Sequence, residues 1–325
     1  MPSRFEVTTK TILYVILIVA GGWLLIQIRD VLGLLFISFI VTSALRPGVD
    51  KLEKTGVPRI LGVITLYAVL IGVAIGFGTV VLPPLISETI RLATNLPYYL
   101  SQLSPYINTN IDSLIQQIAP IGQNVAKVTL GVFNNILTFF TVSVFAYYFL
   151  LEHKHLRQFL DMFVGDDMGD KVVVVIRKIE ERLGAWVRGE VILMLIIGLA
   201  TYLGLTVLGV NYALPLALIA GLLEVVPIIG PIISAIPAVL VALTVSPGLA
   251  LAVVALYIIV QQLENNIVVP NVMQKAVGLP PMASLLALLI GGRLAGTVGI
   301  ILSVPLLLTL QTIMEFVVGK KDKSP

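Results

Sequence analysis

The chain has 325 residues, of which 58% are hydrophobic and 12% are charged, and its mean hydropathy is +1.02. A soluble globular domain carries roughly 25% charged residues, so this chain lacks the polar surface that water requires, and most of it is expected to face lipid. Its net charge of +3 does not indicate nucleic-acid binding, and the lack of cysteine excludes disulfides, thiolate catalysis and cysteine-ligated metals.

Long apolar runs without strict alternation predict an all-α, polytopic membrane protein rather than a barrel. Hydropathy predicts helices at about 11–28, 31–47, 60–82, 128–151 and 191–209, followed by broken apolar stretches at 213–245, 248–269 and 282–318. Counting each broken stretch once gives about eight transmembrane helices, with broken or re-entrant helices in the C-terminal half. Residues 28–31 (IRDV) are interpreted as a tight hairpin between the first two spans.

Six regions follow from this pattern. They are N-terminal transmembrane helices (1–82), an extracytoplasmic amphipathic helical region (83–127), a transmembrane helix (128–151), a cytoplasmic amphipathic helical region (152–190), a transport core with broken helices (191–318) and a cytoplasmic tail (319–325). With the N-terminus inside, 16 of the 21 lysines and arginines fall on cytoplasmic segments. The positive-inside rule therefore predicts that both termini are cytoplasmic.

Two non-spanning regions carry amphipathic patterns. In 83–127 a leucine and isoleucine stripe predicts a helix that lies on the membrane or its own bundle, or else forms a subunit-contact arm. In 152–190 one helical face carries Ile176, Ile179, Leu183 and Trp186, which predicts an interfacial helix with Trp186 at headgroup level. His153 and His155 are two residues apart and do not share a helical face, so no metal site and no cofactor are expected.

Charge is nearly absent from the C-terminal half. Between Val191 and Met314 the Asp, Glu, Lys, Arg and His residues are Glu224, Glu264, Lys275 and Arg293. A charge at mid-bilayer costs at least about 2.5–3.5 kcal/mol, so such residues normally face protein or a wet cavity. Glu264 and Lys275 have a simpler interpretation as solvated residues near the outer interface. Glu224 is harder to explain by lipid alone.

Helix-breaking residues accompany these charges. "LEVVPIIGP" (223–231) and "LENNIVVPNV" (263–272) each place a glutamate shortly before a proline, and "GGRLAG" (291–296) places Arg293 among glycines. Helical spacing puts Gln261, Glu264 and Asn265 on one face. The residues expected to shape the breaks are Pro227, Gly230, Pro231, Pro270, Gly291 and Gly292. Pro231 suits the first position of a new half-helix, where a missing N–H costs nothing.

Broken helices at membrane depth are typical of transporter sites, where half-helix ends and carboxylates hold solutes and ions. The candidate substrate- or ion-binding residues are Glu224, Glu264, Gln261, Asn265, Asn266 and Arg293. The sequence contains no HExxH, GxSxG or GxxxxGK[ST] motif, and no enzymatic activity is expected.

Two stretches carry a family resemblance: "GLLEVVPIIGPIISAIPAVLVAL" (221–243) and "QQLENNIVVPNVMQKAVGLPPMASLLALLIGGRLAGTVGIILSVPL" (261–306). Their glutamate–proline blocks and their glycine-rich block resemble the AI-2E (autoinducer-2 exporter) family of bacterial multi-pass transporters. The resemblance implies a transporter of the bacterial cytoplasmic membrane, with about eight helices and a homo-oligomeric state. Some members of that family are associated with autoinducer-2 export and others with Na⁺(Li⁺)/H⁺ antiport.

Three functions remain open from the sequence. The leading hypothesis is an ion- or proton-coupled secondary transporter that exports a small polar solute resembling autoinducer-2. A Na⁺(Li⁺)/H⁺ antiporter is the alternative within transport, since a carboxylate with nearby amide and carbonyl oxygens suits Na⁺. A non-transporting membrane scaffold or assembly protein is the alternative from another class. The expected partners are the solute and/or Na⁺ and H⁺, the lipid bilayer and further copies of the chain, with no nucleic acid.

Overall fold

The computed structural model describes residues 9–76, 136–151, 166–227, 229–273 and 279–318, together with a few residues between 78 and 94. The predictions for 83–127, for the tail 319–325, and for His153, His155 and Lys275 lie outside these residues or almost wholly so. The elements are α1 (Thr9–Gln27), α2 (Arg29–Lys54), α3 (Arg59–Gly76), α4 (Ile136–Leu151), α5 (Asp166–Val207), α6 (Ala213–Leu223), α7 (Ile229–Leu243), α8 (Pro247–Leu263), a π turn (Glu264–Val268), α9 (Val269–Met273) and α10 (Pro281–Val318).

The predicted all-α, polytopic fold is confirmed for the part of the chain that is described. Four helical segments are long and apolar enough to cross a bilayer, by length and composition: Arg29–Lys54, Gly169–Val207, Pro247–Met273 and Met282–Val318. Shorter apolar helices lie beside them, and many large apolar side chains on all of these helices are exposed. Such a surface is what lipid, rather than water, would cover.

The predicted hairpin at 28–31 is wrong. Ile28 donates its N–H to the carbonyl of Leu24 and accepts the N–H of Leu32, both at 3.0 Å, so helical hydrogen bonding runs across the junction. Residues 28–31 include neither glycine nor proline, the residues that reverse a chain most readily. As a result, α1 leads into α2 with only a one-residue interruption.

Helix α5 is continuous through the boundary placed at 190/191 and contains 42 residues. At 1.5 Å per residue it is about 63 Å long, more than a bilayer with its headgroups. A seam of buried side chains follows one face at spacings of three and four. Its members are Ile179, Leu183, Trp186, Glu190, Leu193, Ile197, Thr201 and Leu205.

The separate interfacial helix expected within 152–190 is therefore wrong over its described part. Residues 166–190 are the first half of α5. The indole of Trp186 packs in a buried cluster with Ile40 of α2 and Leu308 of α10. The seam that begins at Ile179 simply continues past residue 190, and nothing in it stops the helix.

Helices α6 and α7 form a helical hairpin, called here the first hairpin (213–243). Leu216, near the start of α6, shares a buried cluster with Ala238 and Val241, near the end of α7. The same cluster includes Leu205 near the end of α5 and Val253 near the start of α8, so both hairpin ends lie at one end of the bundle. The arms contain 11 and 15 residues, about 16 and 22 Å, which is too short to cross a hydrocarbon core of about 30 Å.

Helix α10 is also a hairpin, called here the second hairpin (281–318). Its backbone leaves helical geometry at Ala295 (φ −137°, ψ 20°) and at Gly296 (φ 58°, ψ −139°). Gly296 is in the left-handed region that favours glycine. The two arms meet where Gly291 faces Gly299, and a Cβ at either position would overlap the other's carbonyl oxygen. Two of the three broken stretches, 213–245 and 282–318, therefore reverse direction.

Helices α2 and α5 cross closely because one glycine faces a backbone carbonyl. A Cβ at Gly184 would overlap the carbonyl oxygen of Ser43. That carbonyl lies four residues before Pro47, which has no N–H to donate to it. The guanidinium of Arg188 donates to it at 3.4 Å and to the carbonyl of Ala44 at 3.2 Å.

Ion pairs join α2, α5 and α10 within the two turns before Gly184. Arg46 pairs with the buried Glu180, and Glu315 accepts from Arg182 at 2.9 and 3.0 Å and from Lys178 at 3.1 Å. These residues are called the ion-pair layer below. They lie at the end of the bundle opposite to the ends of the first hairpin, since α5 runs from one end to the other.

We expect Gly184→Ala to destabilise the bundle, because an added methyl group forces α2 and α5 apart. Overpacking of this kind costs about 1–3 kcal/mol. Gly33→Ala in α2 is the matched control, since nothing lies within 4 Å of a Cβ there. Thermal unfolding in detergent measures the difference. Equal transition temperatures for the two variants would contradict the close crossing.

We expect Asn211→Cys and Val245→Cys to react with a membrane-impermeant maleimide from the same side of the membrane, because the two positions flank the first hairpin. The chain has no cysteine of its own, so each variant carries a single thiol. Labelling of intact and of inverted vesicles gives the side. Reaction from opposite sides would mean that 213–243 crosses the membrane.

Candidate functional site

Glu224 lies at the tip of the first hairpin because the sequence stops α6 there. Pro227 has no N–H with which to continue the helix, and a Cβ at Gly230 would overlap the carbonyl of Leu223, so only glycine allows this tight return. Helix α7 begins at Ile229, which places Pro231 third in the helix rather than first. The predicted position of Pro231 is therefore wrong by two residues. Its physical reason still holds, because the third N–H of a helix also has no intrahelical acceptor, and a proline there costs no hydrogen bond.

Glu264 is the first residue of the π turn, at the end of α8. The N–H of Val269 donates to the carbonyl of Glu264, five residues back, which is the hydrogen bond of a π turn. The side-chain amide of Gln261 donates to Oε2 of Glu264 at 2.9 Å. Gln261 and Glu264 thus share one face of the helix and are joined by a hydrogen bond.

The two glutamates meet inside the bundle. Their carboxyl groups are within hydrogen-bonding distance of each other. Glu224 is 1% exposed and Glu264 is 5% exposed. The Oε2 atom of Glu224 is buried and has no hydrogen-bond partner among the described residues. Two carboxyl groups in contact cannot both stay ionised in a dry site, so a proton or another cation has to accompany the pair.

Asn265 and Asn266 do not join this pair. Both side chains are exposed, and the amide of Asn266 donates to the carbonyl and to Oε1 of Gln262. The prediction for Asn265 assumed 3.6 residues per turn, but the π turn is wider and rotates the residues that follow Glu264. The helical spacing from Gln261 therefore fails at the residue after the glutamate.

Arg293 lies near the tip of the second hairpin and is exposed, as are the residues from Leu294 to Val298. Gly291 and Gly292 pack against Gly299 and Ile300 of the returning arm. No described hydrogen bond or ion pair links Arg293 with either glutamate. Pro270 lies in α9, next to the π turn, and is exposed.

Glu190 is the site residue that sequence reasoning missed. It is 4% exposed, and its Oε1 atom has no partner in the described part of the chain. Its charge acts on Glu224, and the charge of Glu264 acts on Glu190. The sequence carried a signal for it, since Glu190 follows Leu183 and Trp186 at helical spacing. It lies one residue before the nearly uncharged stretch 191–314, among the charged residues of the preceding segment.

No basic side chain balances these three glutamates within the described ranges, where every ion pair involves other residues. Nor do three described acidic or histidine side chains lie close enough together to form a metal site. The arrangement suits the exchange of protons, or the binding of one monovalent cation by the touching pair and the Gln261 oxygen.

A surface groove lies between α7 and α8 and reaches the pair through Gln261, whereas neither glutamate lines it. Its volume is about 260 Å³, and the lining is apolar apart from Tyr257 and Gln261. The phenol of Tyr257 donates to the carbonyl of Ser234 at 3.3 Å. Gln261 therefore touches both the groove and Glu264. The other lining residues are Pro231, Ile232, Ala235, Val239, Val254 and Ile258.

Comparison with known proteins agrees with this architecture. A family model described as "AI-2E family transporter" matches residues 12–319. The chain is 28% identical to the "putative transport protein YrrI" of Bacillus subtilis, over 90% of this chain and 87% of that protein. It is 24% identical to the "putative permease PerM" of Escherichia coli K12, over 94% and 93% respectively. A shorter match of 38% identity covers 40% of this chain and 38% of the E. coli "putative transport protein YhhT".

We expect Glu224→Gln to stabilise the fold relative to the wild type as the pH is raised. At alkaline pH both carboxyl groups of the wild-type pair lose their protons and repel each other, whereas the glutamine removes one charge and can donate to Glu264. Thermal unfolding between neutral and alkaline pH measures the difference. Glu181→Gln, an exposed position on α5, is the control and should follow the wild type at every pH. A constant offset for Glu224→Gln would contradict a carboxyl contact.

Proposed function

Because the chain belongs to the AI-2E family of transporters, we propose that it is an ion- or proton-coupled secondary transporter that exports a small polar solute of the autoinducer-2 type. In this proposal no enzymatic step takes place on the chain. The relatives named as transport proteins or as a permease support transport itself. The direction, the coupling and the solute class are the proposal.

The touching carboxyl groups of Glu224 and Glu264 are the observation that carries the proposal. A purely structural position would not favour two acids in contact, since apolar side chains of similar volume would pack at lower cost. The pair can couple transport when the proton or other cation that it holds is released and bound again. With a cation bound the site is close to neutral, and without one it repels itself.

Broken helices give this exchange a mechanical consequence. Glu224 lies on a hairpin tip that enters from one end of the bundle, and Glu264 lies on a π turn in a different helix. Repulsion between the two carboxylates favours separation of these elements, and neutralisation favours their contact. Protonation or cation binding thereby selects between two positions of the first hairpin, which is the differential interaction that coupling requires.

The groove between α7 and α8, which reaches the pair through Gln261, is the proposed solute position. Gln261 contacts both the groove and Glu264, so a hydroxylated solute bound there would compete for the same amide. Arg293, Asn265 and Asn266 are exposed and are assigned to the access route rather than to the pair. The proposed partners stay those expected from the sequence: the solute, Na⁺ and/or H⁺, lipid, and other copies of the chain.

Flux into proteoliposomes tests the proposal. Purified protein is reconstituted, and uptake of radiolabelled furanosyl-type solutes and small polyols is measured with and without a pH gradient, and with and without Na⁺. We expect Glu224→Gln and Glu264→Gln each to reduce gradient-driven flux by about 100-fold or more, in line with the loss of a positioned proton carrier. Glu181→Gln should transport like the wild type.

The same measurements separate the alternatives. Exchange of Na⁺ for H⁺ without any solute, reported by a pH dye inside the vesicles, favours a Na⁺(Li⁺)/H⁺ antiporter. A scaffold or assembly protein gives no flux of any kind and tolerates Glu224→Leu. Gradient-driven flux that survives in both glutamine variants would overturn the coupling role of the pair.

A further inference from the structure

We propose that Glu190 is a relay carboxyl group that carries protons between the ion-pair-layer end of the bundle and the Glu224–Glu264 pair. The inference rests on the proposed function and deepens it, because it assigns a route to the coupling site. Glu190 would be a positioning and transfer residue, and the pair would remain the site at which coupling occurs.

The register of α5 against its neighbours places Glu190 on this route. Gly189 packs against Met273 of α9, whereas Gly204 packs against Leu256 of α8, so α5 and the α8–α9 segment run antiparallel. Glu264 lies between Leu256 and Met273 in the chain, so it packs opposite the part of α5 between Gly189 and Gly204. Most of that part follows Glu190 in the chain. Glu190 is the carboxyl group displaced toward the start of α5.

The first hairpin reaches the same level from the other direction. A Cβ at Gly221 would lie 2.7 Å from the carbonyl of Met194 and 3.1 Å from the Cα of Gly198, so the end of α6 packs on this part of α5. Since α6 and α5 are antiparallel, Glu224 continues from Gly221 toward Glu190. The acid on α5 thus lies beside the hairpin tip, on the side that faces the ion-pair layer.

Arg182 of the ion-pair layer lies eight residues before Glu190. The rise of an α-helix puts the two residues about 12 Å apart along the axis of α5. That layer is accessible to water, since the side chains of Lys178 and Glu315 are 50% and 36% exposed. A cavity of about 400 Å³ also opens there, between α2 and α5, and its lining includes Arg46, Glu180 and Arg188. Along the axis of α5, Glu190 therefore lies between the water-accessible ion-pair layer and the buried Glu224–Glu264 pair.

An oxygen without a hydrogen-bond partner favours a proton-transfer role for Glu190 over a purely structural one. The Oε1 atom of Glu190 is buried without a hydrogen-bond partner in the described part of the chain, whereas the buried Glu180 is held by Arg46. A buried acid kept for structure is normally paired in this second way. The charge that acts on Glu190 is that of Glu264, which is itself an acid and cannot hold Glu190 in an ion pair.

Infrared spectroscopy of carboxyl protonation tests the relay without any transported solute. Purified protein in lipid bilayers is switched from alkaline to acidic buffer, and the carbonyl stretch of newly protonated, buried carboxyl groups is followed in time. Glu224→Gln and Glu264→Gln identify the bands of the pair. We expect Glu190→Gln to leave the final amplitude of these bands unchanged but to slow their appearance about 10-fold or more, since a positioned transfer group is lost.

Two further variants make the result decisive. Glu190→Asp keeps a carboxyl group and should restore part of the rate, and Asp30→Asn, at an exposed position on α2, should match the wild type. The relay would be overturned if the pair bands in Glu190→Gln appeared within about twofold of the wild-type rate, against the slowing expected when a transfer group is lost. It would also be overturned if Glu224→Gln removed no band. A failed relay with normal flux leaves the proposed function intact, and a normal relay without flux would contradict the proposed function alone.

Discussion

The contact between the carboxyl groups of Glu224 and Glu264 is the constraint on which the rest of the C-terminal half depends. Two like charges in an apolar bundle are costly unless a proton or another cation lies with them. The backbone at this point departs from regular helix twice, at the hairpin tip after Leu223 and at the π turn that starts at Glu264. Both departures would be costly in lipid, and at each of them the glutamate side chain is buried in protein.

Close backbone approach is what makes this arrangement compact. Gly184 against the Ser43 carbonyl, Gly221 against Met194, and Gly291 against Gly299 are all contacts at which a methyl group would overlap a backbone oxygen or nearly do so. Between helices in a bilayer, packing of this kind replaces the hydrophobic effect that drives association in water. The glycines therefore set the distance between α5 and its neighbours, and that distance allows glutamates from three elements to act on one another.

The helix breaks and the two glutamates could be predicted from the sequence more readily than the residues that contact them. Glu224 and Glu264 stand out because lipid does not explain them, and Gln261 follows from helical spacing. Asn265 does not join them, because a π turn changes the spacing at that residue. Glu190 was hidden for the opposite reason: it lies among basic residues in the sequence, and only the continuity of α5 places it on the buried seam.

The sequence by itself determined that this is an all-α membrane protein whose C-terminal half keeps only a few charges, close to broken helices, because the energetics of lipid act on composition and on segment length. The tertiary structure alone decided which broken stretches reverse, which carboxyl groups touch and which residue of α5 approaches them. Those outcomes depend on contacts between residues far apart in the chain, such as Leu216 with Ala238 and Gly189 with Met273. Local periodicity contains no information about such contacts, since it describes one helix at a time.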